Sequence, residues 1–407
     1  DPAEAFRYFW LFFRRAAFEP GPDVEGGEER ASFVDRVLVD SEEYAKELGE
    51  RLKTDIFEEV FPHLAKGFLE GIREREGLAP ADLSEGRLDA VYRGTLTLLY
   101  RLLFLLYAEA RDLLPVRATR AYRDLSLADL KRKIAETAGP IADDRDARIG
   151  KAFRVDRHEI YDRLKRLFRA IDEGDPSLNV PVYNGGLFVT QPSKDDPSPD
   201  AETARFLARH SVPDRHLAAA LDRLCRGIDT RRHDLVQVDY KSLGVRQLGS
   251  IYEGLLEFRL RVASERLAIV RKSGKDIYQP ARDLDERARE RAERQGRILK
   301  KGEVYLENDK RERKATGSYY TPDHIVRYIV EQAVGPVLAE RFDALRPKLR
   351  RAQKERSDFL KRREADQKRG VRPEPLEKAE IFGRDVAEEL FDVRVLDPAM
   401  GSGHFLV

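Results

Sequence analysis

What this sequence has little of narrows the field first. It has a single cysteine, Cys225, in 407 residues. That excludes an internal disulfide framework and any cysteine-rich zinc site, and it fits a reducing compartment. An excess of one charge sign is missing too: 75 Lys and Arg face 74 Asp and Glu, a formal net charge of +1. A globally basic nucleic-acid binder is therefore not indicated, although local patches remain open. Long hydrophobic runs are absent. The most apolar stretch, LTLLYRLLFLLYAEARDLL (96–114), is interrupted by Arg101. It falls short of the roughly 20 apolar residues that a membrane span needs, so it reads as a helix buried in protein, and no membrane partner is expected. The opening DPAEAFRYFW lacks a basic stretch followed by a clean apolar run, so it is not a signal peptide. It also lacks an initiator Met, and the chain reads as part of something longer. The seven histidines show no H-x-x-H or H-E-x-x-H spacing, so no histidine metal site is expected. There are no internal repeats.

What is present is charge and helical periodicity. Charged residues make up 37% of the chain, and mean hydropathy is −0.57, as for a soluble protein. In SEEYAKELGERLKTDIFEEVF, Ser41 is a plausible N-cap, and Tyr44, Leu48, Leu52 and Ile56 recur four residues apart. SLADLKRKIAETAG has Ser126 as a cap and Gly139-Pro140 as a stop. The 96–114 helix is apolar nearly all round and should lie at the centre of a bundle. NVPVYNGGLFVTQP carries a tight-turn signal at Asn184-Gly185-Gly186; a loop that positions a partner domain or DNA is the other reading. Tyr183 and Phe188 beside it are expected to be core anchors. An amphipathic helix is expected from about Val245 and a short strand over Val304–Leu306. The run from Arg341 to Lys378, dense in both charge signs, reads as a solvated helical hairpin or a disordered arm. The functional alternative is an arm that contacts DNA phosphates, and that contact is the expectation here.

The motif with the most chemistry closes the sequence: VRVLDPAMGSGHFLV, 393–407. Val393, Val395 and Leu396 read as a short buried parallel strand. Asp397 stands at its carboxyl end, Met400–Gly403 makes a sharp turn, and His404 onward starts a helix. Strand, glycine turn and helix build a ligand site at the carboxyl end of a sheet strand. The lysine of a phosphate loop and the third glycine of a dinucleotide fingerprint are both missing. A second motif, KATGSYYTPDHIVRYIV (314–330), places Thr321 as an N-cap and Pro322 at the first helical position. Ile325, Tyr328 and Ile329 follow on one helix face, and a stop or kink is expected at Gly335-Pro336.

Together GSYYTP and DPAMGSGHFL resemble motifs X and I of the amino-adenine DNA methyltransferases of the gamma order. The segments RLLFLLYAEARDLLP, PVYNGGLF and LGVRQLGSIYEGLLE, with FRYFWLFFRRAAF and SEEYAKELGERL, are similar to the large single-chain type IIG restriction–modification enzymes. The resemblance covers most of the chain. It implies a mostly α fold: a helical connector followed by the start of an α/β Rossmann-like domain that uses S-adenosylmethionine. The segments it implies are a helical connector over 1–175, a mixed spacer with the YNGG turn over 176–300, and the first part of a methyltransferase domain over 301–407. Carried over residue by residue, Gly317, Tyr319, Tyr320, Thr321 and Pro322 match motif X, and Asp397, Pro398, Ala399, Gly401, Ser402, Gly403 and Phe405 match motif I. Both groups would serve the cofactor. The resemblance further implies duplex DNA as partner, methylation of adenine N6, phage defence with other defence subunits, an endonuclease that uses Mg²⁺ in the complete protein, and a prokaryotic cytoplasm.

The family's catalytic NPPY motif, which holds a flipped adenine, is absent from these residues, so no catalytic residue is assigned. The implied reading is a fragment of a longer enzyme. A non-catalytic scaffold that binds DNA or a partner is the alternative. The triplet Asp239-Tyr240-Lys241, with Asp229 and Asp234 upstream, could in principle hold Mg²⁺, but D-x-K triplets arise by chance in a chain this charged.

Overall fold

The computed structural model describes residues 2–19, 31–183, 186–228, 234–255, 258–272, 275–308, 321 and 323–397. The chain divides into two compact units, residues 1–318 and 319–407.

The first unit is helical at its centre. Its helices are α1 (Pro2–Phe13), α2 (Phe33–Asp55), α3 (Phe61–Glu76), α4 (Glu85–Ala110), α5 (Arg120–Leu125), α6 (Leu127–Ala138), α7 (Arg145–Ala152), α8 (Glu159–Glu173), α9 (Pro199–Arg209), α10 (Asp214–Cys225), α11 (Val245–Leu255) and α12 (Glu286–Arg294). The apolar stretch picked out in the sequence lies inside α4, whose Leu98, Leu99, Leu102 and Leu105 are fully buried. Helices α3, α6 and α9 pack around it. A Cβ on Gly94 would run into the Phe206 ring, so that glycine sets how closely α9 approaches α4. Helix α10 is the second central element, buried from Leu217 to Cys225. One core runs from Leu48 to Leu260.

The helix ends follow local chemistry. Ser126 caps α6 by accepting from Asp129 N at 3.1 Å. Gly139 ends that helix with φ +75°, a region open to glycine at little cost. The expected cap at Ser41 is a correction. Helix α2 starts nine residues earlier, after Ser32, which exchanges hydrogen bonds with Asp35 in a capping box. Ser41 sits inside the helix and donates to the Val37 carbonyl at 2.7 Å. The capping box holds two donors that helix geometry leaves open, and Ser41 has no such partner residue.

Strands occupy the margin of this unit. They are β1 (Arg226–Ile228), β2 (Leu235–Gln237), β3 (Phe258–Val262), β4 (Leu267–Lys272), β5 (Lys275–Pro280), β6 (Ile298–Leu299) and β7 (Val304–Asn308). Among the described residues all pairings are antiparallel: β1 with β2, β3 with β7, and a three-stranded sheet ordered β5-β4-β6. The strand expected at Val304 and the helix expected at Val245 are present.

The second unit is helical over its described residues: α13 (Asp323–Ala333), α14 (Gly335–Lys368) and α15 (Arg384–Phe391). The break expected at Gly335-Pro336 separates α13 from α14, with Pro336 in the first turn where its missing N–H costs nothing. The charged run as far as Lys368 lies in the 34-residue helix α14, and α15 returns along it.

Two imidazoles in the first unit report on stability. His63 on α3 and His216 on α10 face each other with ring centroids 6.1 Å apart. Burial pushes both down to about 4, helped for His63 by Arg223 and for His216 by Arg215 and Lys66. A histidine that stays neutral when folded contributes full stability above its unfolded value of about 6.5 and loses it as pH falls toward the folded value, at up to about 1.4 kcal/mol per pH unit. Urea unfolding at stepped pH should show stability falling between pH 6.5 and 4. The His63→Gln/His216→Gln variant should flatten that fall; an unchanged slope would remove these histidines as its cause.

Candidate functional site

Of the residues matched to motif X, Thr321 is described: it is half-buried, two residues before α13. Gly317, Tyr319, Tyr320 and Pro322 lie outside the described residues. A helix start preceded by a threonine is a combination that suits an anionic group. Val326 is the buried residue, while Ile325, Tyr328 and Ile329 are 40%, 63% and 42% exposed.

Of the residues matched to motif I, Asp397 is described and half-buried. Pro398, Ala399, Gly401, Ser402, Gly403 and Phe405 lie outside the described residues, as does His404. The expected buried strand before Asp397 is a correction. Residues 392–397 form no strand, and Val395 and Leu396 are 54% and 87% exposed. A parallel strand is held by ladder hydrogen bonds to neighbouring strands and by cover on both faces. Among the described residues of this unit there is no strand to supply either.

The D-x-K triplet is a turn. The Tyr240 ring is buried and its hydroxyl donates to the Leu224 carbonyl at 2.9 Å. The Asp239 carboxylate accepts from Lys241 N at 2.9 Å and from the Ser242 hydroxyl. Asp234 lies in a bridge opposite Ile141, and Asp229 is outside the described residues. Among the described residues no three His, Cys, Asp or Glu side chains could hold a metal ion.

The structure adds a site that the sequence reading passed over. Arg101, the residue that interrupts the apolar helix, is 4% exposed. Its Nε donates to the Leu187 carbonyl at 2.8 Å and its Nη2 to the Val189 carbonyl at 2.9 Å. Its guanidinium also lies 5.1 Å from the Phe168 ring and 5.8 Å from the Phe188 ring. Burial lowers its pKa to about 10. Arg101 therefore clamps the segment that follows YNGG onto α4. Phe188 is a core anchor, as expected. Tyr183 is 38% exposed and donates to the Leu113 carbonyl at 2.8 Å; Asn184 and Gly185 lie outside the described residues. The signal for the clamp was visible as a lone charge in an apolar helix.

Glu109, eight residues further along α4, plays a matching part. Its carboxylate accepts from the Tyr122 hydroxyl at 3.0 Å, Leu127 N at 3.0 Å and Ala128 N at 2.7 Å. It thus caps the start of α6 from outside that helix, and burial raises its pKa. Beyond these groups, an open cleft of about 690 Å³ is lined by Leu113, Pro115, Asn179, Pro181 and Tyr183. Asp112 and Asn179, both with φ of +56°, border it. Its carboxylate, Asp112, is paired with Arg117 at 3.2 Å.

Comparison with known proteins gives a partial match. Over 94 residues the chain is 33% identical to a protein of Methanocaldococcus jannaschii named "Putative type II restriction enzyme and methyltransferase". The match covers 23% of this chain and 7% of that protein. It relates that part of the chain to restriction–modification proteins. No protein-family model matches, and no solved structure matches. No described helix is long and apolar enough to cross a membrane.

Arg101→Leu keeps the apolar packing and leaves two half-buried carbonyls without their Arg101 donors. It should cost about 2–3 kcal/mol in urea unfolding, and Arg101→Lys should recover less than half of that, because a single ammonium does not reproduce the fork. A loss below about 0.5 kcal/mol for Arg101→Leu would show that the loop is held by its other contacts.

Proposed function

We propose that this chain is the helical connector and cofactor-loop part of a restriction–modification enzyme that methylates adenine N6 in duplex DNA. The observation that carries the reading is the pairing of GSYYTP (317–322) with DPAMGSGHFL (397–406) in one chain. The likeness of 94 residues to a protein with a restriction-and-methyltransferase name supports it. S-adenosylmethionine, when bound, supplies the methyl group. In this reading Thr321 and the α13 N-terminus receive the carboxylate of its amino-acid part. Asp397 lies near the cofactor, and Gly401 and Gly403 let backbone pass beneath its methionine part. These are donor and acceptor types that suit a cofactor with both charges on its amino-acid end. The large core of the first unit would act as a rigid platform for the transferase and for a Mg²⁺-dependent endonuclease elsewhere in the enzyme, in a prokaryotic cytoplasm and in phage defence. Because NPPY is absent from these residues, the target base would be held by residues outside them.

A second reading is a non-catalytic scaffold that binds DNA or a partner subunit. The two are separable. Calorimetry of the 407-residue chain with S-adenosylmethionine should show weak or no binding, since motifs X and I form part of a pocket; tight stoichiometric binding would contradict that. In a polypeptide that carries these residues together with an NPPY-type motif, Asp397→Ala and Gly401→Val should each slow methyl transfer to duplex DNA by about 100-fold, the scale of a misplaced reactant. Transfer at the unaltered rate in both variants would sink the cofactor assignment and leave the scaffold.

A further inference from the structure

Helix α14 has two faces of opposite character. At 100° per residue, Arg341, Leu345, Ala352 and Phe359 share one side. That side is packed. Leu345 and Phe359 are buried, the Phe359 and Phe382 rings lie 5.7 Å apart, and Arg341 donates to the Glu389 carbonyl at 3.0 Å. Lys348, at the margin of this side, pairs with Glu389 at 2.7 Å, and Arg363 donates to the Glu374 carbonyl at 2.9 Å. Cations near the packed side therefore have work to do within the fold.

About half a turn away, Arg350, Lys354, Lys361 and Lys368 fall within about 40° of one another. All four are exposed. Lys368 is paired with Glu364, and Arg346, just outside the arc, with Asp343. Arg350, Lys354 and Lys361 make no ion pair or hydrogen bond among the described residues. Arg346, Arg350 and Lys354 also stand at i, i+4 and i+8, where like charges destabilise a helix by about 0.2–0.5 kcal/mol per pair. A solvated helix with both signs available relieves this by alternating them. Asp358 stands four residues after Lys354 and three before Lys361 yet pairs with neither, so three cations of the row stay unpaired among the described residues, and an external polyanion would neutralise them.

We propose that this row on α14 is a docking rail for the phosphate backbone of duplex DNA, with Arg350, Lys354 and Lys361 as its contacts. The row is straight and rigid. From Arg350 to Lys361 it spans about 16 Å at 1.5 Å per residue, close to the rise of five base pairs at 3.4 Å each. A stiff double helix matches that line; a flexible single strand gains nothing from it. The choice of DNA as the polyanion rests on the reading given under Proposed function, whereas the row itself does not.

The test is the salt dependence of binding of the 407-residue chain to a 30-base-pair duplex, measured by fluorescence anisotropy without cofactor. Each phosphate neutralised contributes about 0.9 to the slope of log affinity against log salt. The triple variant Arg350→Ala/Lys354→Ala/Lys361→Ala should lower that slope by about 2–3. A charge-matched control, Arg356→Ala/Arg362→Ala/Arg372→Ala, removes cations off the row and should lower it by less than about 1. The row variant should melt at or above the temperature of the unaltered chain, since it removes repulsion, so lost binding would not reflect lost folding. Equal slope changes in the two triples would overturn the rail, as would a slope near zero for the unaltered chain. Equal competition by single-stranded DNA or by an acidic peptide would assign the row to a different partner. Because no cofactor is present, a rail that holds while Asp397→Ala and Gly401→Val leave methyl transfer by the longer polypeptide unaltered would refute the cofactor assignment alone.

Discussion

The first unit depends on burying a helix that is apolar on nearly every side. A fully buried leucine is worth about 1.5–3 kcal/mol, and α4 offers four of them at Leu98, Leu99, Leu102 and Leu105. No single neighbour can cover such a helix, so α3, α6, α9 and the strand margin wrap it. The cost falls on the polar groups carried inside. Arg101 and Glu109 are tolerable there because backbone groups answer them: two carbonyls of the 187–189 segment for the guanidinium, and two N–H groups at the start of α6 for the carboxylate. Each charge thereby fixes a segment far away in sequence. The central helix organises its surroundings through its two exceptions as much as through its leucines.

Much of this was legible in the sequence, and the gaps have physical causes. The apolar helix, the Ser126 cap, the Gly139 stop and the helix break at Gly335-Pro336 follow from local chemistry, and local chemistry decided them. Ser41 was misread because a serine before glutamates resembles a cap wherever it stands; only the Ser32–Asp35 exchange distinguishes the true start. The hairpin of β4 and β5 was overlooked in a stretch dominated by charge, although LAIVRK and KDIYQP, separated by Ser273-Gly274, carry the composition of paired strands. The partners of Arg101 were not legible at all, because a carbonyl 86 residues away leaves no local trace.

The candidate cofactor residues show the reverse balance. Their motifs are explicit in sequence, while the described structure carries Thr321 and Asp397 alone among them. The segment before Asp397 illustrates why a motif is not a fold. Val395 and Leu396 have the residue types of a buried strand and stand exposed, because a strand's conformation is supplied by neighbours and not by its own side chains. Helix α14, in contrast, needs no such help: its packed face, its return partner α15 and its cationic row all arise from one continuous run.

The pairing of β3 with β7 has a consequence for how such a protein can change. Phe258–Val262 lies against Val304–Asn308 in register, so the chain leaves the first unit's main body and re-enters it through two adjacent strands about 5 Å apart. Everything between them, the β5-β4-β6 sheet and α12, is a detour whose entrance and exit coincide. A segment built this way can be lengthened, trimmed or exchanged without rerouting the rest of the polypeptide. It is a natural socket, whose content could change while the buried helix and its wrapping stay as they are.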